Sequence, residues 1–481
     1  MAVPHPYAPL SLLLSSVAIA GTPGDFESGK PQNGGAQGST QSAPNQRFDD
    51  IEERLRALEA KLAEKDRVIE DLQRSKVSNE TLDRAVADLQ RTLEKRGTSS
   101  APASSPSPKW FDRLTIRGYT QFRFTTLFGE NNTPDVHVPN DPSVSETESL
   151  VVRRGRVILF GDISEHLYVY AQLDFNGSVG PGGGTTGLQT RDIYADISLD
   201  ADKEFRFRLG TSKVPFGWVN LQSSQNRAPI ERPDALNSAV EGERDLGAYF
   251  YWAPKETRAL FAELVRSGLK GSGDYGVIGV GVFNGQGLNR PDLNGEPHVV
   301  ARVSYPFHAF GDQIMELGAQ AYVGHYVPNV AAIGGVTPKF AKRGVLDERA
   351  AVTAMLYPKP IGIECEWNWG NGPQISDNRT EIDSRYLQGG YVMLSYLEHG
   401  KSGNWFPFAR WNYFRGNRKF ARNAPRAYVN EIDLGIEWAP WKEVEITLMY
   451  THTAQRTNTN VAPFDSVTDE DRIGMQVQWN F

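Results

Sequence analysis

The ten residues that end the chain restrict its fold more than any other stretch. Ile473, Met475, Val477, Trp479 and Phe481 fall on one face of an extended strand; Arg472, Gly474, Gln476, Gln478 and Asn480 fall on the other. A repeat of two is that of a β-strand with one apolar face. The pattern recurs upstream. Phe205, Phe207 and Leu209 oppose Arg206 and Arg208; Ile361, Ile363, Cys365, Trp367 and Trp369 oppose Glu364, Glu366 and Asn368; Ile432, Leu434, Ile436 and Trp438 oppose Glu431, Asp433 and Glu437. Met315 to Val323 and Val299 to Tyr305 repeat it. Such segments, about ten residues long with aromatic residues at their ends, match tilted bilayer-spanning strands. A soluble sandwich alternates too, but needs neither this length nor these aromatic ends. No run of 18 apolar residues exists, which excludes a bundle of membrane helices and leaves a membrane β-barrel open.

Upstream of Trp110 the period changes. Residues 10–20 (LSLLLSSVAIA) are a short apolar run ending in Ala18-Ile19-Ala20, so residues 1–20 are expected to be an export signal, although residues 1–9 hold no Lys or Arg. Residues 21–47, rich in Gly, Gln, Ser and Pro, read as a flexible linker. Phe48, Ile51, Leu55, Leu58, Leu62, Ile69 and Leu72 then recur at steps of three and four, and Leu82, Val86, Leu89 and Leu93 continue in a shifted register. This heptad seam predicts a coiled-coil helix over 48–96 that associates with copies of itself; a single amphipathic helix lying on the downstream domain is the alternative. Residues 97–109 form a second linker, rich in Pro and Ser, and 110–481 the barrel.

Connection lengths count the strands. Short turns are expected at 164–166, 200–203, 268–274, 306–313, 357–360, 398–404 and 439–443. Long loops are expected at about 127–149, 176–188, 216–245, 284–297, 324–344, 370–386, 415–428 and 453–470. Their alternation gives an all-β, antiparallel transmembrane barrel of sixteen strands with both ends on the short-turn side. Residues 246–266 must then be one long interrupted strand with Pro254 at a bulge or edge. If they form a hairpin, the number becomes eighteen. A closed barrel of this size encloses an aqueous lumen.

Several motifs occur in an order that resembles the phosphate-selective porin O and P family. They are Arg153-Arg154-Gly155-Arg156; Leu173-Asp174-Phe175; Arg191-Asp192-Ile193-Tyr194; Gly210 through Lys213-Val214-Pro215-Phe216-Gly217; Glu231-Arg232; Arg244-Asp245-Leu246-Gly247; and Gly281-Val282-Phe283-Asn284-Gly285. The final strand ending on Phe481 is similar to the assembly signal of bacterial outer-membrane barrels. The resemblance implies a homotrimeric sixteen-stranded channel among outer-membrane lipids of a Gram-negative-type bacterium. It also implies that the loop after the fifth strand, Phe216 to Asp245, folds into the lumen. The heptad helix resembles the periplasmic coiled coils of other porins, which hold the outer membrane to the cell wall; a peptidoglycan contact is the expected partner.

The barrel region holds 27 Arg but 10 Lys. A guanidinium stays charged and offers a planar fork of donors suited to phosphate oxygens. Strand phase turns Arg117, Arg123, Arg154, Arg156, Arg206 and Arg208 inward, with Arg153 at a strand mouth and Arg227, Arg232 and Arg244 near the constriction. The loop 415–428 carries Arg415, Arg418, Lys419, Arg422 and Arg426 and no acid, a candidate basic vestibule. These residues predict a porin for small hydrophilic solutes that prefers anions such as phosphate. Against that, Asp174, Glu316, Glu364, Glu366, Glu431 and Asp433 also point inward, and the region's 37 basic residues face 43 acidic ones. Trp218 to Gln222 holds no Lys, where phosphate-selective members of the family rely on lysines. A general porin whose coiled coil tethers the membrane is the alternative. No enzymatic role is expected. The eight His are scattered, with His399 and His452 beside polar residues, and no HExxH, P-loop or GxSxG element occurs. The single Cys and net charge of −7 speak against a cysteine zinc site and a nucleic-acid partner, and no cofactor is expected.

Overall fold

The computed structural model describes residues 109–128, 149–178, 185–458 and 464–481. The expected signal peptide, the coiled coil and almost all of the two linkers lie outside these residues, as do the middles of the loops expected at 127–149, 176–188 and 453–470.

Sixteen antiparallel strands close into a barrel. The first five are β1 (Thr115–Phe128), β2 (Ser149–Asp162), β3 (Leu167–Ser178), β4 (Thr185–Ser198) and β5 (Phe205–Lys213). The short helices α1 (Trp218–Leu221) and α2 (Asp234–Asn237) lie in the next loop. Then come β6 (Arg244–Trp252), helix α3 (Lys255–Arg266), β7 (Ile278–Phe283), β8 (His298–His308), β9 (Ile314–Tyr326), β10 (Val345–Leu356) and β11 (Ile361–Ile375). β12 (Ile382–Tyr396) is continued past Leu397 by Glu398–Gly400, and β13 (Gly403–Asn417), β14 (Arg426–Trp441), β15 (Val444–Asn458) and β16 (Asp465–Asn480) complete the wall. Each strand pairs with its neighbours in sequence, and β16 pairs back onto β1 from Tyr119↔Asn480 to Phe128↔Asp471, so the sheet has no free edge.

Burial is inverted relative to a soluble protein. Ile116, Leu150, Ile193, Leu209, Val299 and Ile432 are exposed on the outer wall, whereas Arg123, Arg156, Asp174, Glu366 and Asp433 are buried inside. This suits a wall wetted by lipid outside and water within. The chain end takes part in closure. The Gly118 N–H donates to the Phe481 carbonyl at 2.8 Å and the Phe481 N–H to the Gly118 carbonyl at 3.0 Å. The Phe481 ring lies where a Gly118 Cβ would be, 2.4 Å from that position.

Two segments fill much of the lumen. The loop from Val214 to Glu243 folds inward. Its Phe216, Trp218, Val219, Ile230 and Leu236 pack against Tyr322, Met355, Tyr391, Phe408 and Phe414 of the β9–β13 wall. Each fully buried side chain of this kind contributes about 1.5–3 kcal/mol. The second segment corrects the expectation for 246–266. β6 stops at Trp252 and Pro254 opens a helix, because Pro lacks the N–H a ladder needs and presets the φ of a helix start. Thr257, Phe261 and Leu264 then fall on one helical face, which alternation does not capture. The expected turn at 268–274 belongs to this same insertion, residues 253–277, which re-enters the barrel from the short-turn end. Its Leu264 and Leu269 join the interior core, and its Lys270 ammonium pairs with Glu437 of β14. The Gln222 side-chain amide donates to the Lys270 carbonyl at 2.6 Å, so the two segments meet inside. A smaller correction concerns 370–386. β11 and β12 run to Ile375 and from Ile382, leaving a six-residue turn where a long loop was expected.

Replacing Gly118 with Val should obstruct the closing seam, lowering the fraction of heat-modifiable folded barrel on gels by more than half. Thr120→Val, two residues along the same outer face, should leave it unchanged.

Candidate functional site

The arginines gather on one side of the lumen because of two β-bulges. Between β1 and β2, Gln121 pairs with Arg154 but Phe122 pairs with Val152, leaving Arg153 as an extra residue. Between β3 and β4, Gln172 pairs with Asp192 but Leu173 pairs with Thr190, leaving Arg191 extra. Strict alternation would place one of Arg153 and Arg154, and one of Arg191 and Asp192, in lipid, at a cost of about 2–4 kcal/mol near mid-membrane. A bulge resets the phase and keeps both members inside. Arg191 escaped the sequence-based selection; adjacent charged residues within a membrane strand are the signal that could have found it.

Carboxylates from the inward loop organise these guanidiniums. Glu231 accepts from Arg123 at 2.8 Å, Arg153 at 3.1 Å and Arg154 at 3.0 Å, with Arg227 at 3.8 Å. Burial alone would raise the Glu231 carboxyl; the Arg154, Arg153 and Arg123 charges hold it well below the usual range. Glu243 binds Arg232 at 2.8 Å, Arg244 at 2.5 Å and Arg191 at 3.3 Å, and against burial these charges hold it low as well. Arg156 bonds Asp174 at 3.0 Å and the Tyr119 hydroxyl at 2.6 Å. Arg208 grips Asp196 with two bonds of 2.7 and 2.8 Å, Arg244 binds Asp192 at 2.9 Å, and Arg206 binds Asp274 at 2.7 Å. Arg117 stands apart near the short-turn mouth, its guanidinium 5.3 Å from the Phe160 ring centre, with no carboxylate partner among the described residues. Nine of the ten arginines selected from sequence thus form ion pairs on the β1–β6 side rather than a row of free cations, and Arg117 alone of the ten has no such pair among the described residues.

Other inward carboxylates hold the loop, as Glu366 and Glu316 do, or pair within the wall, as Asp433 and Glu431 do. Glu366 accepts from the Trp218 and Val219 N–H groups at 2.6 and 3.1 Å, capping α1 after Gly217 turns the chain at φ 86°. Glu316 accepts from the Trp218 indole at 3.2 Å and from Arg302 at 3.3 Å. Asp433 binds Arg410, and Glu431 binds Arg472. The vestibule expected at 415–428 is also altered. Arg418 turns inward to Asp234 at 3.4 Å and Lys419 to Asp347, leaving Arg415, Arg422 and Arg426 exposed.

Open, polar-lined space remains along the β1–β6 side as two basins. The outer basin, about 490 Å³, is lined by Arg153, Arg154, Arg156, Arg191, Arg232 and Arg290 against Asp174, Glu231, Glu241 and Glu243. The inner basin, about 470 Å³, has Arg117, Lys203, Arg206, Arg208, Lys213, Arg244 and Arg258 against Asp162, Asp192, Asp196 and Asp274. Cations outnumber carboxylates by two and by three respectively.

The sequence profile of phosphate-selective porin O and P matches residues 129–481. The chain belongs to that family. This porin therefore works as an outer-membrane channel of Gram-negative bacteria. No curated protein matches it. Solved structures similar to the porin include OmpT of Vibrio cholerae in a trimer form (10% identity, TM-score 0.45, covering 76% of this chain and 99% of that one). They also include OmpF of Salmonella typhi with daunomycin (11%, 0.48, 76% and 97%) and an anion-selective porin from Comamonas acidovorans (12%, 0.43, 76% and 99%).

Glu231→Gln should remove the negative charge shared by the Arg123, Arg153 and Arg154 guanidiniums and lower the unfolding free energy of the porin by about 3 kcal/mol, read from denaturant midpoints. Asp234, pushed up to about 6 by burial against the pull of Arg418, binds a proton more tightly folded than unfolded. That site therefore adds stability as pH falls from 7 to 5, by about 1 kcal/mol, and Asp234→Asn should remove this increment.

Proposed function

We propose that this porin passes small anions, phosphate among them, along its β1–β6 side. The observation that carries the reading is the excess of cations in both basins on the β1–β6 side of the lumen. A permeating anion exchanges part of its hydration for guanidinium and ammonium donors. Because most of these cations are paired, each site holds the anion weakly enough to release it, as conduction requires. Phosphate fits the planar forks of Arg153, Arg154, Arg156 and Arg191, while Arg117, Arg206, Arg208 and Arg244 extend the cationic side toward the periplasm. Arg123, Arg227 and Arg232 back the loop that narrows the passage. Lys213, just ahead of that loop, donates to the Leu221 and Gln222 carbonyls at 2.9 and 2.8 Å and supplies a lysine that 218–222 lacks.

The heptad seam of 48–96 supports a homotrimer joined by a periplasmic coiled coil with a contact to peptidoglycan. This tethering role is compatible with conduction. Deleting residues 25–100 should weaken the envelope and leave single-channel conductance intact.

The decisive measurement is the reversal potential of the purified porin in a planar bilayer under a KCl gradient. Chloride preference is expected, with chloride current reduced by added phosphate. Arg117→Glu with Lys213→Glu takes the inner basin from an excess of three positive charges to a deficit of one, and should shift the pore toward cations. A cation-selective or unselective wild-type pore would overturn the proposal and leave a general porin.

A further inference from the structure

The inner basin holds more than charge. Tyr168, Tyr170, Tyr194 and Tyr275 line it beside Arg208 and Lys213. Tyr170 and Tyr194, side by side on β3 and β4, stack at 5.1 Å with planes 13° apart, and the Arg208 guanidinium lies 3.9 Å from the Tyr194 ring centre. Tyr194 is thus covered by Tyr170 and Arg208. What the basin presents is phenol edges rather than an open aromatic face. The Tyr170 hydroxyl bonds Gln172 at 3.0 Å. Those of Tyr168, Tyr194 and Tyr275 have no hydrogen-bond partner among the described residues and border the cavity. Each is able to donate and accept, which suits the hydroxyls of a sugar and not a bare ion.

The cations point to an anion on the same molecule. Asp196, Asp192, Asp274 and Asp162 are each paired with a basic side chain. Arg117 and Lys213 remain without a carboxylate partner among the described residues. The space, about 470 Å³, is far larger than one phosphate ion needs. Its floor is built by the β6–β7 insertion, which contributes Ala262, Val265 and Tyr275.

We infer that the inner basin is a binding site for phosphorylated sugars, in which Arg117 and Lys213 take the phosphate and the phenols of Tyr168, Tyr194 and Tyr275 take ring hydroxyls. This deepens the proposed anion pathway and rests on it. Two added neutral hydrogen bonds correspond to about a tenfold preference over inorganic phosphate.

The test is block of chloride current through the full-length porin in a planar bilayer by glucose 6-phosphate, inorganic phosphate and glucose. The expected half-blocking concentration of glucose 6-phosphate is about tenfold below that of phosphate, with glucose inert. In the double variant Tyr168→Phe and Tyr194→Phe the ratio should approach one. Equal block by the two phosphates in the wild type, block by glucose, or a ratio unmoved in the variant would each overturn the inference. If the double variant does not assemble, Tyr275→Phe is read the same way. A reversal potential showing no anion preference would instead defeat the underlying anion pathway, so the two failures are told apart.

Discussion

A guanidinium buried away from bulk water must be paired, and this rule shapes the lumen. The β1–β6 side carries more arginine than its own carboxylates can neutralise. The missing charge comes from the loop that follows β5, whose Glu231 meets Arg123, Arg153 and Arg154 and whose Glu243 meets Arg191, Arg232 and Arg244. Coulomb attraction thus fixes one side of the loop against the basic strands. The other side is fixed by apolar burial and by Glu366 at the start of α1. Position, width and charge of the passage follow from this two-sided attachment, since the basins are what the loop leaves uncovered. Removing one carboxylate therefore acts on stability and on the electrostatics of the passage together.

The insertion between β6 and β7 supports the same arrangement from the opposite end. Lys270 reaches across to Glu437, and its carbonyl receives Gln222 from the loop. Arg258 and Arg206 share Asp274, binding the insertion back to the basic side. Two segments entering from opposite mouths are thereby locked to each other and to both sides of the wall.

Much of this was legible in the residues and some was not. The alternation ending at Phe481 and the inward phase of Arg117, Arg123, Arg154 and Arg156 follow from a period of two, which the sequence displays openly, and the strand number follows from the spacing of turns and loops. Arg191 was missed because a bulge breaks that period, and only the adjacency of Arg191 and Asp192 hints at it. Residues 255–266 form a helix where alternation predicts a strand, because a short amphipathic helix and a strand both offer apolar residues at close spacing, and Pro254 suits a strand bulge or edge as well as a helix start. Pairing was hidden altogether. Phase shows that Arg154 and Glu366 face inward, but not that one meets Glu231 while the other holds backbone N–H groups. Such contacts join residues more than seventy positions apart, and no local pattern encodes them.

The one-sided filling of the barrel has a dielectric consequence. The dry cluster around Trp218, Tyr391 and Phe414 is a medium of low permittivity, and the basins opposite are polar cavities accessible to solvent. An ion in the passage is repelled by its own polarisation image at that boundary and pressed toward the arginines opposite. Field lines from the cations, unable to spread through the dry side, are concentrated in the water column. The apolar packing that holds the loop in place thus also acts as an insulator, strengthening a modest excess of charge without adding any.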